Sequence, residues 1–139
     1  HIMHEQRGIE PVRAMSARLK VPVDYAFMAE MVCKHHLNAH MALELKPSTI
    51  LRLLEGLGAL RRPARLETFL LACMADKRGR LGSEDASYPQ ADFLRACREA
   101  AASVVSRPFV EQGLEGPAIG EAMKKAQMKA IASVAKPAP

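Results

Sequence analysis

The chain has 139 residues, enough for one ordinary domain with a single sizeable core and too few for a second independent one. Its apolar residues, 49 % of the total, are chiefly Ala, Leu and Met with few β-branched side chains, which lose little rotamer freedom in helices and predict an all-α fold. The net charge of +5 favours an acidic partner, nucleic acid first, or else marks a solvated basic surface, while the lack of any run near 18 apolar residues and of a signal peptide argues against a membrane protein and predicts a soluble, cytoplasmic one.

In chain order, Ile9, Val12, Met15 and Leu19 recur at steps of three and four and predict a helix ending near Val21-Pro22. His1 to Met3 are compatible with a cloning scar and carry little weight. The longest pattern runs from about Val23 to Leu45, with Asp24 in its first turn, where a carboxylate meets unpaired backbone N–H groups. It carries Tyr25, Met28, Met31 or Val32, His35, His36, Leu37, His40 and Met41, and Lys46-Pro47 stops it. Ser48 is the expected cap of a short helix, apolar nearly all round through Ile50, Leu51, Leu53, Leu54 and Leu57, which belongs at the centre of the core and ends at Gly56 and Gly58.

Pro63 suits the first position of the next helix, which runs to about Asp76 with Leu66, Phe69, Leu70, Cys73 and Met74 as its apolar stripe. The stretch from Lys77 to Ser87 reads as a loop longer than usual helix connections. Tyr88-Pro89 opens a helix to about Val105 with Phe93, Leu94, Cys97, Ala101 and Val104 on one stripe. Residues 107–117 form a turn-rich link. A last helix spans Pro117 to about Ser133, with Ile119, Met123, Ala126, Ala130 and Ile131 inward and Lys124, Lys125 and Lys129 outward. Ala135 to Pro139 should fray. The expectation is one bundle of about six helices. Cys33, Cys73 and Cys97 have no CxxC spacing and sit in apolar helical contexts, so buried free thiols are expected.

Two features carry chemistry. His36 and His40, spaced i, i+4, share a helix face and can supply two metal ligands, with His35 pointing elsewhere and His4-Glu5 able to approach from the first helix. Ordinary half-exposed histidines explain the same pattern. The chain contains no HExxH, no His-Asp dipeptide, no D-x-D and no phosphate-binding glycine loop, so it lacks the parts for phosphoryl or nucleotidyl transfer. The second feature is charge: Arg61 to Arg80 contain six cations and two carboxylates, gathered before and after the Leu66 to Met74 stripe. Cations near helix ends can contact phosphates without reading bases, as in shape recognition of RNA. Tyr88 and Phe109 are available for stacking, although most of the six aromatic residues should be core.

Several segments in collinear order carry a family resemblance. They are His4-Glu5-Gln6-Arg7-Gly8, Leu19 to Pro22, and His36 and His40 leading into Ala42-Leu43-Glu44-Leu45-Lys46-Pro47 and Leu53-Leu54-Glu55. Arg61-Arg62-Pro63, Ala75-Asp76-Lys77-Arg78-Gly79-Arg80, Tyr88-Pro89-Gln90-Ala91-Asp92 and Gly113 to Ala122 follow. Together they resemble the C-terminal part of the bacterial multifunctional CCA tRNA nucleotidyltransferases that carry an HD domain. Met3 stands where the family pattern leads one to expect glycine.

The resemblance implies a parent enzyme that adds C, C and A to tRNA 3′ ends from CTP and ATP, with magnesium held by a D-x-D pair in an N-terminal head. It also implies nickel or magnesium in the HD domain, and phosphatase or 2′,3′-cyclic phosphodiesterase activity there. The head, the D-x-D pair and the His-Asp dipeptide would lie upstream, so no catalytic residue and no cofactor are expected in this chain alone. Residues 1–58 would be the remainder of the HD-like region and residues 59–139 the tail helices. Arg61, Arg62, Arg65, Lys77, Arg78 and Arg80, with Lys124 and Lys125 second, are the expected tRNA phosphate contacts. His4, His36 and His40 are the expected part of an incomplete metal site. The alternatives are a metal-dependent phosphohydrolase half-site and a helical packing or dimerisation module. The protein would be a monomer or homodimer with no membrane partner.

Overall fold

The computed structural model describes residues 3–138, whose regular elements are all helices, with no strand among them. In order they form α1 (His4–Arg7), α2 (Ile9–Arg18), α3 (Val23–His40), a 3-10 turn (Ala42–Glu44), α4 (Pro47–Leu57), α5 (Pro63–Arg78), α6 (Pro89–Ala102), α7 (Arg107–Glu111) and α8 (Pro117–Ala132). With α1 and α7 single turns, the described bundle has the six substantial helices that periodicity predicts. His1 and Ile2 of the suspected scar, and Pro139 of the expected frayed end, lie outside the described residues.

Proline sets the helix starts. Pro47, Pro63, Pro89 and Pro117 open α4, α5, α6 and α8, where the missing N–H would have been unpaired anyway. This corrects the expected Ser48 cap. The residue before proline, Lys46, is held extended at φ −69° and ψ 149° and becomes the N-cap, so Ser48 falls inside the helix and makes no cap hydrogen bond.

Three helices end by one device. Past α2, α4 and α7, the N–H groups of Val21, Ala59 and Leu114 reach back to the carbonyls of Ser16, Leu54 and Phe109 at 2.9, 2.9 and 3.1 Å. The preceding residues, Lys20, Gly58 and Gly113, bond to Ala17, Glu55 and Val110. This closure needs a left-handed residue. Gly58 (φ 67°) and Gly113 (φ 89°) supply it at no steric cost, whereas Lys20 (φ 51°) places a Cβ in the unfavourable region. Gly58 is doubly constrained, since a Cβ there would come within 2.8 Å of Arg65 Nη1.

The predicted Val23 to Leu45 helix instead stops at His40. Continuing it would require the His40 carbonyl to accept from Glu44 N–H. That carbonyl accepts from the side-chain amide of Gln90 at 2.8 Å, and Glu44 N–H turns to Met41 O at 2.9 Å, which gives the 3-10 turn. At the other end of the loop helix α5 runs two residues past Asp76, and Lys77 and Arg78 occupy its last turn, where cations suit the helix dipole.

The core lies among α4, α5, α6 and α8. Ile50, Leu51, Leu53, Leu54 and Leu57 of α4 are buried, but Ser48, Arg52, Glu55 and Gly56 are exposed, so α4 is one-sided and not apolar nearly all round. It packs against α5, α6 and α8. Leu66, Phe69, Leu70 and Cys73 of α5 and Phe93, Leu94, Cys97 and Ala101 of α6 are buried as their stripes predict, with Met74 and Val104 half-buried. From α8 only Ile131 is buried, with Met128 packed against the core. Arg95 of α6 bridges to Glu67 of α5 and to Asp92 on its own helix, an exposed network of modest worth.

The N-terminal third differs. Helices α1 and α2 bury no residue, and α3 buries only Ala39. Helix α2 leans on α3, joined by the exposed Arg13–Glu30 ion pair. Helices α3 and α5 lie side by side and parallel, since Arg65 stacks on Phe27 at 4.8 Å near their starts and Asp76 meets His40 at 2.8 Å near their ends. All three thiols are free, but only Cys73 and Cys97 are buried; Cys33, on the thinly covered α3, is half-buried, contrary to expectation. Burial pushes the Cys73 thiol up to about 12 and Cys97 up to about 11.

Two outcomes follow. Lys20→Gly should raise stability by about 1 kcal/mol in urea unfolding and Gly58→Ala should lower it by at least as much; equal midpoints for Lys20→Gly and the parent would remove the left-handed cost. A thiol reagent at pH 8 should modify Cys33 in the folded chain and spare Cys73 and Cys97 until denaturant is added, as peptide mapping would register.

Candidate histidine junction and basic surfaces

Helix α3 carries its three histidines in its last two turns, and each meets a different environment. His40 is the most constrained. Its Nε2 lies 2.8 Å from Asp76 Oδ2 on α5 and its Nδ1 lies 2.9 Å from the Tyr88 hydroxyl at the start of α6. An ionised carboxylate only accepts, so Nε2–H donates to Asp76, and the Tyr88 hydroxyl donates to the neutral ring's Nδ1. The Tyr88 and His40 rings meet edge-on at 5.7 Å. With Gln90 on its carbonyl, His40 is held by α5 and α6 together.

The hydrogen bond from His40 holds the Asp76 carboxyl below its ordinary value against the opposing effect of burial, and the nearby Arg80 cation acts in the same direction as the bond. Burial, with Cys73 and Asp76 nearby, pushes the Tyr88 hydroxyl well above its ordinary range. Tyr88 is 8 % exposed, so it is a buried partner of His40 and not a free stacking surface; the most exposed aromatic side chain among the described residues is Tyr25. Periodicity exposes neither Asp76 nor Tyr88 as a partner of His40, because they lie 36 and 48 residues away.

His36 takes the opposite tautomer. Its Nδ1 lies 2.9 Å from Val32 O and 3.1 Å from Cys33 O, and carbonyls only accept, so Nδ1 carries the proton and Nε2 presents a lone pair. His4 Nε2 lies 3.4 Å from that nitrogen, while His4 Nδ1 lies 3.7 Å from Glu5 Oε2. The approach of His4 from the first turn therefore occurs. Two nitrogens bound to one tetrahedral ion at about 2.0–2.1 Å stand roughly 3.4 Å apart. A closed ligand set is still lacking: both nitrogens of His40 are engaged, and no group of three or more His, Cys, Asp or Glu side chains among the described residues is arranged to hold a metal. The residues present do not by themselves fit a metal. His35 lies apart, and burial with the charge of Lys34 pushes its pKa below the ordinary value.

Met3, just before His4, adopts φ 62° and ψ 27°. That is a left-handed backbone, the conformation that favours glycine.

The expected phosphate contacts fall into groups. Arg61 and Arg62 are exposed at the start of α5, and Lys77, Arg78 and Arg80 gather at its end, about 22 Å away by helical rise. Arg65 is committed elsewhere: it stacks on Phe27 and donates to Leu57 O at 3.4 Å. Arg78 Nε donates to Ala86 O at 3.2 Å and ties down the loop after α5. Lys124 and Lys125 are exposed on α8. Among the described residues none of these eight cations forms an ion pair, whereas Arg13, Arg95 and Arg107 do.

The Asp76 carboxylate contributes stability that is present above its ordinary value of 3.8 and is lost as pH falls through its depressed folded value. Asp76→Asn should flatten the fall in unfolding free energy as pH drops below about 4. Tyr88→Phe should cost about 1 kcal/mol at neutral pH by stranding His40 Nδ1; no change in the urea midpoint would show that the hydroxyl bond adds nothing.

No protein-family model matches the chain, and no solved structure matches it. Curated relatives do. A Multifunctional CCA protein of Stenotrophomonas maltophilia is 54 % identical over 133 residues, covering 96 % of this chain and 33 % of the relative. Proteins of the same name from Alkalilimnicola ehrlichii and Halorhodospira halophila are each 50 % identical, covering 100 % and 99 % of this chain and 34 % and 33 % of their own lengths. The chain spans about a third of the curated relatives it matches, and over that third it is a homologue of the Multifunctional CCA proteins.

Proposed function

We propose that this chain is the C-terminal part of an enzyme that adds C, C and A to tRNA 3′ ends from CTP and ATP, and that its share of the work is to grip the tRNA body through phosphate contacts. Residues 1–58 are then the remainder of an HD-like region and residues 59–139 the tail. The nucleotidyl-transfer centre, with its magnesium, belongs to the part of the parent outside this chain.

The observation that carries the reading is the placement of Arg61 and Arg62. They stand exposed at the N-terminal end of α5, where the helix's own partial positive charge disfavours cations, and no carboxylate among the described residues pairs with them. Local structure gives these arginines no partner, and a phosphate would give them one. Lys77, Arg78 and Arg80 lie at the favourable end of the same helix, so they have a structural reason as well as the proposed one. Arg65 serves mainly to join α3 to α5. The working set is therefore led by Arg61 and Arg62, with Lys77, Arg80, Lys124 and Lys125 behind them.

A second reading rests on the approach of His4 to His36. The two nitrogens would form half of an HD phosphohydrolase metal site whose other ligands come from outside the chain. Calorimetric titration with nickel and with magnesium, on the chain and on His36→Ala, tests it; heats that His36→Ala leaves unchanged would reduce the pair to an ordinary contact.

For the leading reading, anisotropy titrations with tRNA between 50 and 200 mM salt are expected to give a log-log slope of about −3 to −5. Arg61→Ala with Arg62→Ala should make that slope shallower by about 1 to 2 and weaken binding about tenfold without moving the melting temperature. Absence of binding at low salt, or an affinity indifferent to salt, sinks the RNA role.

A further inference from the structure

Because α3 and α5 lie side by side and parallel, the turns that lead into them, α2–α3 and α4–α5, come to the same end of the bundle. Arg65 sets the register, its guanidinium stacking on Phe27 at 4.8 Å close to both helix starts. Packed helix axes stand about 8–10 Å apart, so the two turns are near neighbours. Residues 18–25 and 58–65, which form these turns and the opening of each helix, hold five cations, Arg18, Lys20, Arg61, Arg62 and Arg65, and one carboxylate, Asp24. Arg18, Lys20, Arg61 and Arg62 are exposed, and none of them forms an ion pair with Asp24 or any other carboxylate among the described residues. Positive charge is thus gathered where the starts of α3 and α5 already add partial positive charge of their own.

Lys20 stands apart within this group. It closes α2 at φ 51°, a left-handed position that the ends of α4 and α7 fill with Gly58 and Gly113. Glycine would make the same backbone bonds without placing a Cβ in the unfavourable region, so the turn itself does not call for a lysine. The C-terminal end of α2 favours Arg18 and Lys20, but the start of α3 at Val23 opposes them. We infer that Lys20, with Arg18 beside it, is a further RNA-phosphate contact, extending the grip of Arg61 and Arg62 across this end of the bundle. Four exposed cations on two neighbouring turns suit a row of phosphates better than a single small anion, and Asp24 offsets only one of them. The basic stretch from Arg61 to Arg80 does not reveal this contact, because Arg18 and Lys20 lie far earlier in the chain and only the parallel packing of α3 on α5 brings them to the same end.

The inference rests on the reading that this chain grips tRNA, and the experiment separates the two. Anisotropy titrations of the 139-residue chain with tRNA are run across salt on three variants beside the parent. Lys20→Gly removes the ammonium and the strained Cβ together. It is expected to keep or raise the melting temperature while weakening tRNA binding about threefold to fivefold and making the log-log salt slope shallower by about 1. Lys20→Arg keeps the charge and is expected to bind within about twofold of the parent. Lys34→Ala removes an exposed cation about 16 Å along α3 from its start and is expected to leave the slope unchanged. Parental affinity and slope in Lys20→Gly, while Arg61→Ala with Arg62→Ala weakens binding, would overturn this contact alone. An equal effect of Lys34→Ala would reduce it to net charge, and a loss in Lys20→Arg as large as in Lys20→Gly would assign it to the turn's shape; either overturns it. Absence of salt-dependent tRNA binding by the parent chain would remove the RNA reading and this contact with it.

Discussion

The fold turns on His40. Three groups from two later helices converge on it: Asp76 on one ring nitrogen, Tyr88 on the other, and Gln90 on its carbonyl. Each bond fixes something larger than itself. The Gln90 bond removes the acceptor that would extend α3, so the chain turns at Met41 and delivers Pro47 to start α4 under the core. The Asp76 bond sets α5 parallel to α3, and the Tyr88 bond fixes where α6 begins. Singly such bonds are worth about 1 kcal/mol, but in a half-buried site leaving one partner unmade costs more than making it gains, which is what gives the junction its rigidity.

That junction divides two kinds of packing. On the C-terminal side of His40 the helices have a dry core, with Leu54, Leu57, Phe69, Leu70 and Leu94 inaccessible to solvent. On the N-terminal side the same apolar periodicity, Ile9, Val12, Met15 and Leu19, makes a face that is nowhere buried, with Met15 53 % and Leu19 61 % exposed. Hydrophobic pattern tells which face of a helix wants covering. It does not tell what covers it, and in α1 to α3 the chain offers too little of its own.

What the residues made legible follows from range. Prolines at 63, 89 and 117 act on their own φ and their own missing N–H, so those helix starts could be read locally, whereas the start at Pro47 reads locally as a stop, with Ser48 as the cap. The stripes on α5 and α6 follow from 3.6-residue periodicity alone. The end of α3, the burial of Tyr88 and the commitment of both His40 nitrogens depend on residues 36 to 50 positions away, and no local pattern carries them. The i, i+4 spacing of His36 and His40 illustrates the limit. It correctly places both rings on one face, yet their tautomers are opposite, because one ring donates to its own helix through Nδ1 and the other to Asp76 through Nε2.

The same distinction sorts the charges. Arg65, Arg78, Arg61 and Arg62 are alike in sequence, all within one basic stretch. In space Arg65 spends its guanidinium on Phe27 and Leu57, and Arg78 on the loop carbonyl of Ala86. Arg61 and Arg62 spend theirs on nothing among the described residues, at a helix end that repels them. Net charge locates a basic region, but the functional content of that region lies in the cations that packing leaves over. Two arginines held against the local field, with no internal partner to offset it, are the part of this surface that the fold alone does not explain.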